Sequence, residues 1–240
     1  MPRALMTFAA LVLAIAVFAP SLRAGPAIPA EDRALADPAA RQRAIAAAAP
    51  LFARHCARCH GADGAGNPAR HAPSLIDDRW IFGGEDIDTF LIRPSDIART
   101  IRHGIRAHDP QTRNLALMPA RGTGHSLDPE EIAAVTEYVL KLSGQPYDER
   151  QIPAGKEAYE GEGGCYDCHM AEGWGDPAIG SADLTRPETW LYGRDRAHVL
   201  ETVALGRAGQ CPAFGKVLTP AQIRDLSIYV VARAKSRKFI

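Results

Sequence analysis

Cys56-Ala57-Arg58-Cys59-His60 is the stretch on which the reading of this chain turns, and it recurs as Cys165-Tyr166-Asp167-Cys168-His169. In a C-x-x-C-H sequence the two thiols can add across the vinyl groups of a haem. The adjoining histidine is then held under the iron as its proximal ligand. A single copy is also consistent with a zinc half-site or a redox dithiol. Two copies, each answered downstream by a sulphur-bearing residue before a proline, Met118-Pro119 and Cys211-Pro212, favour two covalently bound haem c groups. The candidate cofactor-binding residues are therefore Cys56, Cys59, Cys165 and Cys168, and the candidate iron ligands are His60, Met118, His169 and Cys211.

Outward from the two motifs, the chain repeats itself. Trp80-Ile81-Phe82-Gly83 is answered by Trp190-Leu191-Tyr192-Gly193, and Met118-Pro119-Ala120 by Cys211-Pro212-Ala213. Leu127-Asp128-Pro129 through Tyr138-Val139 is answered by Leu218-Thr219-Pro220 through Tyr229-Val230. Several markers in one order make an internal repeat. Apolar residues at helical spacing, with Ile132, Val135, Tyr138, Val139 and Leu142 on one face, give an all-α fold of two tandem helical haem domains. The expected division is a signal peptide at 1–24, a loosely packed linker at 25–37, a first domain at 38–143, a hinge at 144–152 and a second domain at 153–240. Helices are expected from Pro38 to His60, from Ser95 to His103 with Ser95 as cap, and from Val199 to Leu205. Domains of this size bury a marginal core, and a covalently held porphyrin would supply the missing apolar centre. The first copy is longer near Glu85 to Ile92 and Ile105 to Arg113, loops that suit partner-facing surfaces.

The formal net charge of zero removes the usual argument for nucleic acid or an anionic membrane as a partner. Met1 to Ala24 carries Arg3, an apolar run from Leu5 to Ala19, Pro20 and a small residue at Ala24. That is the pattern of a secretory signal, and the run is short of the roughly 20 residues of a membrane span. Export to the periplasm is the expectation, with membrane association only through a partner or an uncleaved signal. Four of the five cysteines belong to the two motifs, which leaves Cys211 to be accounted for. The basic tail Arg233, Lys235, Arg237 and Lys238 reads as a solvated face or as a docking patch for an acidic partner.

The order C-x-x-C-H, A-P-x-L, W-x-F/Y-G, M-P-A and a closing helix ending in Y-V resembles the class I cytochromes c. It is most similar to the dihaem subunit of cbb-type haem-copper oxidases. The likeness runs from Ala44 to Ala234. It implies helical haem domains, a place in a respiratory chain, and redox protein partners such as a membrane oxidase or a dehydrogenase. It also implies that the carbonyl of Pro73 accepts the ring proton of His60, with Ala182 standing in for it beside His169. Arg106 and Arg207 are implied as partners of the haem propionates. The sequence departs from the oxidase subunit in three respects: it lacks a clear N-terminal membrane helix, it has Cys211 where a methionine belongs, and it has a shorter loop after the second motif.

Read in chain order, Met118 pairs with the first haem and Cys211 with the second. A neutral thioether favours ferrous iron, whereas an anionic thiolate stabilises ferric iron, so the two potentials should differ. His198 is a weaker ligand candidate, and His55, His71, His103, His108 and His125 read as surface or structural. Trp80, Phe82, Trp190 and Tyr192 read as pocket walls or ordinary core. No residue is assigned a catalytic role. The chain reads as a carrier of single electrons. Two alternatives remain open: an enzyme that oxidises an inorganic sulphur compound such as thiosulphate at a cysteine-ligated haem, and a small-ligand sensor with an open haem.

Overall fold

The computed structural model describes residues 27–77, 80–82, 92–114, 117–123, 127–176 and 178–234. The expected signal at 1–24, the Gly83-Gly84 pair, most of the loop from Glu85, His125 and the tail residues Lys235, Arg237 and Lys238 lie outside them. Among the described residues the fold is all-α. Its helices are α1 Ala30–Ala36, α2 Pro38–His55, α3 Ala57–His60, α4 Pro94–His103, α5 Pro129–Leu142, α6 Ile152–Glu160, α7 Tyr166–His169, α8 Arg196–Leu205 and α9 Pro220–Arg233.

Local sequence explains where the principal helices begin. Asp37 accepts a hydrogen bond from the Ala39 amide at 2.9 Å and Pro38 opens α2, a position where a missing N–H costs nothing. Asp128 and Glu131 form a reciprocal capping box at the head of α5, and Thr219 with Gln222 does the same for α9. The expected cap at Ser95 is displaced: Arg93 precedes the helix, and Ser95 instead donates its amide and hydroxyl to Asp32 at 2.9 and 2.8 Å. Asp32 lies on α1, so the stretch expected to be a loose linker contains a helix. That helix packs against α2, α4 and α9.

The two halves exchange their closing helices. α9, the last helix of the sequence, packs on α2 and α4, whereas α5 packs on α6 and α8. One core therefore gathers Ala48, Phe52 and Ile97 with Leu226, Tyr229 and Val230. The other gathers Val135, Tyr138 and Val139 with Tyr159, Val199 and Val203. Each core takes its closing helix from across the hinge.

Two short backbone pairings mark the crossing. Ile105 and Cys211 exchange hydrogen bonds at 2.9 and 3.0 Å, and Met118 and Arg207 exchange them at 3.1 and 2.8 Å. The strands continue in register on both sides. Phe214 and Gly215 donate to the α4 carbonyls of Ile101 and Arg102, and Arg121 and Gly122 donate to Val203 and Ala204 of α8. A net gain of about 1 kcal/mol per hydrogen bond is small beside about 1.5–3 kcal/mol for each buried aliphatic or aromatic side chain. The cores hold the exchange, and the pairings set its register.

The register needs glycine at one point in each half. Gly206, at φ +68°, would bring a Cβ to 2.4 Å from the Met118 carbonyl oxygen and 2.6 Å from the Ala120 nitrogen. Gly104 sits identically against Cys211 and Ala213. Gly206→Ala is expected to cost about 2–3 kcal/mol, from left-handed strain and the forced retreat of the Met118 strand, read as a lower midpoint in denaturant unfolding.

Glu137 of α5 is buried, and it ties that helix to α8. It accepts from Arg196 Nε at 2.5 Å, from Arg196 Nη2 at 2.9 Å and from the Asp148 amide at 2.7 Å. The Arg196 hydrogen bonds hold its carboxyl below the ordinary range against the opposing effect of burial. A depressed carboxylate stabilises the fold above its unfolded pKa and loses that contribution as pH falls through the folded value. Glu137→Gln is therefore expected to cost about 1–2 kcal/mol at neutral pH, the low end because Arg196 is half exposed, with the gap closing below about pH 4 in parallel urea titrations.

Candidate functional site

Each C-x-x-C-H motif folds as one helical turn, α3 or α7, in which the amide of the motif histidine returns to the carbonyl of the first cysteine. His60 N lies 3.0 Å from Cys56 O, and His169 N lies 2.9 Å from Cys165 O. The turn brings both thiols and the imidazole of a motif close together along the chain. In the first motif Cys56 is partly covered and Cys59 exposed; in the second Cys165 is buried and Cys168 partly covered. Burial pushes the thiols of Cys56 and Cys165 up to about 11.

The imidazoles are oriented alike. His60 donates Nδ1–H to the Pro73 carbonyl at 2.9 Å, and His169 donates Nδ1–H to the Ala182 carbonyl at 2.8 Å, the contacts implied by the sequence resemblance. Burial lowers the pKa of both rings more than the carbonyls raise it. Both stay neutral at neutral pH, with the proton on Nδ1 and the lone pair of Nε2 available to a metal. The Ala182 loop is tied down in turn by Ser181, whose hydroxyl donates to the Cys168 carbonyl at 2.6 Å.

The candidate sulphur donors do not fall where chain order puts them. Cys211 is paired with Ile105 at the end of α4, and its thiol lies within electrostatic reach of Cys56 and Cys59. Three residues on, Phe214 meets the ring of His55 edge-on at 5.8 Å. Met118 is paired with Arg207 at the end of α8. Three residues on from it, Arg121 reaches the second motif: its charge acts on Cys165, and its Nη2 lies 3.3 Å from where a side chain on Gly164 would begin. The exchange of closing helices thus sends Cys211 to the His60 half and Met118 to the His169 half. Chain order had placed Met118 with the first motif and Cys211 with the second.

Other expected residues are distributed between pocket and surface. Trp80 and Trp190 flank the first and second cores, and Trp190 Nε1 donates to the Asp183 carbonyl at 2.9 Å. Tyr192 stacks on His71 at 4.4 Å between ring centres and carries the Arg207 guanidinium 4.9 Å above its ring. Arg106 donates Nε to the Gly209 carbonyl at 2.5 Å. His198 pairs with Asp195 at 2.7 Å and His103 with Asp109 at 2.9 Å, so neither is directed by a vacant neighbour toward a motif. Sequence reasoning missed Ser181, Phe214 and the motif contact of Arg121. The signal for the last two was their common place three residues after each sulphur.

The residues fit a covalently held haem. Two adjacent thiols and a neutral imidazole with a free Nε2 form the donor set of each motif. Arg207 Nε is buried with no acceptor among the described residues, and the Arg207 side chain lines a cleft of about 430 Å³ together with Pro68, His71, Tyr192, His198 and Glu201, none of them a motif residue. A carboxylate-bearing porphyrin edge would satisfy that Nε.

Fold and motifs are those of the c-type cytochromes, a class in which haem c is attached through thioether bonds. Residues 43–139 match the family described as "Cytochrome C oxidase, cbb3-type, subunit III". The chain is 38% identical over 195 residues to the Cbb3-type cytochrome c oxidase subunit CcoP of Cereibacter sphaeroides, covering 81% of this chain and 63% of that one. It is 39% identical over 193 residues to the CcoP of Azospirillum sp., covering 78% and 61%. Identity to the FixP subunit of Bradyrhizobium sp. is 36% over 194 residues, covering 81% and 62%. The chain thus resembles subunit III of the cbb3-type oxidases and spans somewhat under two thirds of these relatives. No described helix is long and apolar enough to cross a membrane.

Ser181→Ala removes the tie between the Ala182 loop and the second motif. The expected result is a loss of about 1 kcal/mol in denaturant unfolding, since the part-buried Cys168 carbonyl then loses this donor.

Proposed function

We propose that the chain is a periplasmic dihaem cytochrome that relays single electrons between redox protein partners, one of them a membrane-bound oxidase or dehydrogenase. The observation that carries the reading is the doubled site: each motif histidine is neutral and fixed by a carbonyl, and each faces a half into which the other half sends a sulphur-bearing strand. The likeness to CcoP and FixP, named as oxidase subunits, supports a place beside a terminal oxidase.

Bound haem supplies a reversible one-electron couple between ferrous and ferric iron, which no side chain here offers. The protein does the remaining work. Cys56 with Cys59, and Cys165 with Cys168, would hold the two macrocycles through thioether bonds. His60 and His169 provide the proximal nitrogen, and the Pro73 and Ala182 carbonyls keep each ring oriented and basic. Cys211 stands on the His60 side and Met118 on the His169 side as the candidate sixth ligands. The two cores exclude water, and Arg207 offers its unsatisfied donor to a propionate. No residue is assigned to bond-breaking chemistry. Export through the leader at 1–24 is part of this reading, because the thioether bonds of c-type haem are made outside the cytoplasm.

Mass spectrometry of the purified, haem-loaded protein is expected to give two covalent haem additions, and Cys56→Ala with Cys59→Ala is expected to remove one and leave the other. A potentiometric titration is expected to give two one-electron transitions. One addition, or a single transition accounting for all the haem, would overturn the proposal.

A further inference from the structure

We infer that Cys211 makes the haem bound at Cys56 and Cys59 the low-potential member of the pair, so that an electron shared between the haems rests on the one bound at Cys165 and Cys168. The inference depends on the dihaem reading above, and it reverses the polarity expected when each sulphur is assigned to the motif before it in the sequence.

Three observations carry it. The crossing strands are matched residue for residue: Cys211 pairs with the residue after Gly104 as Met118 pairs with the residue after Gly206, and Phe214 and Gly215 bond the end of α4 as Arg121 and Gly122 bond the end of α8. Cys211 therefore occupies, in the His60 half, the place that Met118 occupies in the His169 half. The Cys211 thiol is free of any disulfide, and it interacts electrostatically with both thiols of the first motif. It makes a long contact to its neighbour, the Pro212 carbonyl, at 3.7 Å.

The two sulphurs differ in charge when they face iron. A thiol that coordinates a metal gives up its proton, so Cys211 presents an anion that stabilises the ferric state. Met118 presents a neutral thioether, which favours the ferrous state. The exchange then amounts to one electron and no proton. One iron passes from ferrous to ferric on the Cys211 side, and the other passes from ferric to ferrous on the Met118 side. The electron that the pair shares comes from an external one-electron reductant.

The test uses full-length, haem-loaded protein. Low-temperature EPR of the oxidised wild type is expected to show one low-spin ferric signal of the histidine-thiolate kind. That signal should be lost in Cys211→Met and in Cys56→Ala/Cys59→Ala, and retained in Cys165→Ala/Cys168→Ala. In potentiometric titration Cys211→Met is expected to raise the lower midpoint and leave the upper one in place. Should a single-haem variant fail to fold, NMR of reduced Cys211→Met decides instead: the introduced methionine methyl should show contacts to the haem whose thioether bridges belong to Cys56 and Cys59. A thiolate signal that survives loss of Cys56 and Cys59, or methyl contacts to the other haem, would overturn the assignment. Two covalent haems with no thiolate signal at all would overturn the inference and leave the dihaem reading standing. Fewer than two covalent haems would overturn both.

Discussion

The arrangement rests on a steric constraint at the ends of two helices. After Gly104 and after Gly206 the backbone of the opposite half comes so close that no side chain fits, and the approaching strand is pinned by paired hydrogen bonds to Ile105 or Arg207. Those strands lead on to α5 and α9, so fixing them fixes which closing helix covers which core. The hinge between the halves is therefore bridged twice over, by chain and by packing. Neither half has a complete core of its own: without α9, Phe52 and Ile97 lose a wall, and without α5, Tyr159 and Val199 lose theirs.

This interlocking suits a carrier of electrons. Relay between two haems demands a fixed separation, and independent domains joined by a flexible hinge would let it wander. Here α5 and α9 cross in opposite directions, and Glu137 with Arg196 adds an ion pair between α5 and α8. The same crossing places Cys211 in the half that holds the first motif and Met118 in the half that holds the second. Chemical asymmetry, a thiol against a thioether, is thus laid on a backbone that is nearly symmetric.

Much of this was legible in the sequence, because covalent chemistry and helix capping are local. The two C-x-x-C-H turns and the start of α5 at Asp128-Pro129 depend on residues close along the chain, and the carbonyls beside His60 and His169 came from the family resemblance. The pairing of halves was not legible. Chain order favours the nearest partner, and the apolar faces of α5 and α9 carry almost the same pattern, Ile132 through Val139 matching Ile223 through Val230. Either helix satisfies either core by periodicity alone, and only the geometry beyond Gly104 and Gly206 decides. Residues 30–36 were misread for a different reason: a seven-residue amphipathic helix is too short to announce itself, and it is held by a distant contact from Asp32 to Ser95.

The central claim is that the sulphur donors cross between the halves. Crystals of the haem-loaded protein, with the irons located by anomalous scattering at the iron edge, test it most directly. The expected map has Cys211 Sγ above the iron that His60 holds and Met118 Sδ above the iron that His169 holds. A map in which Met118 caps the His60 iron, with each half closing on its own motif, would contradict it.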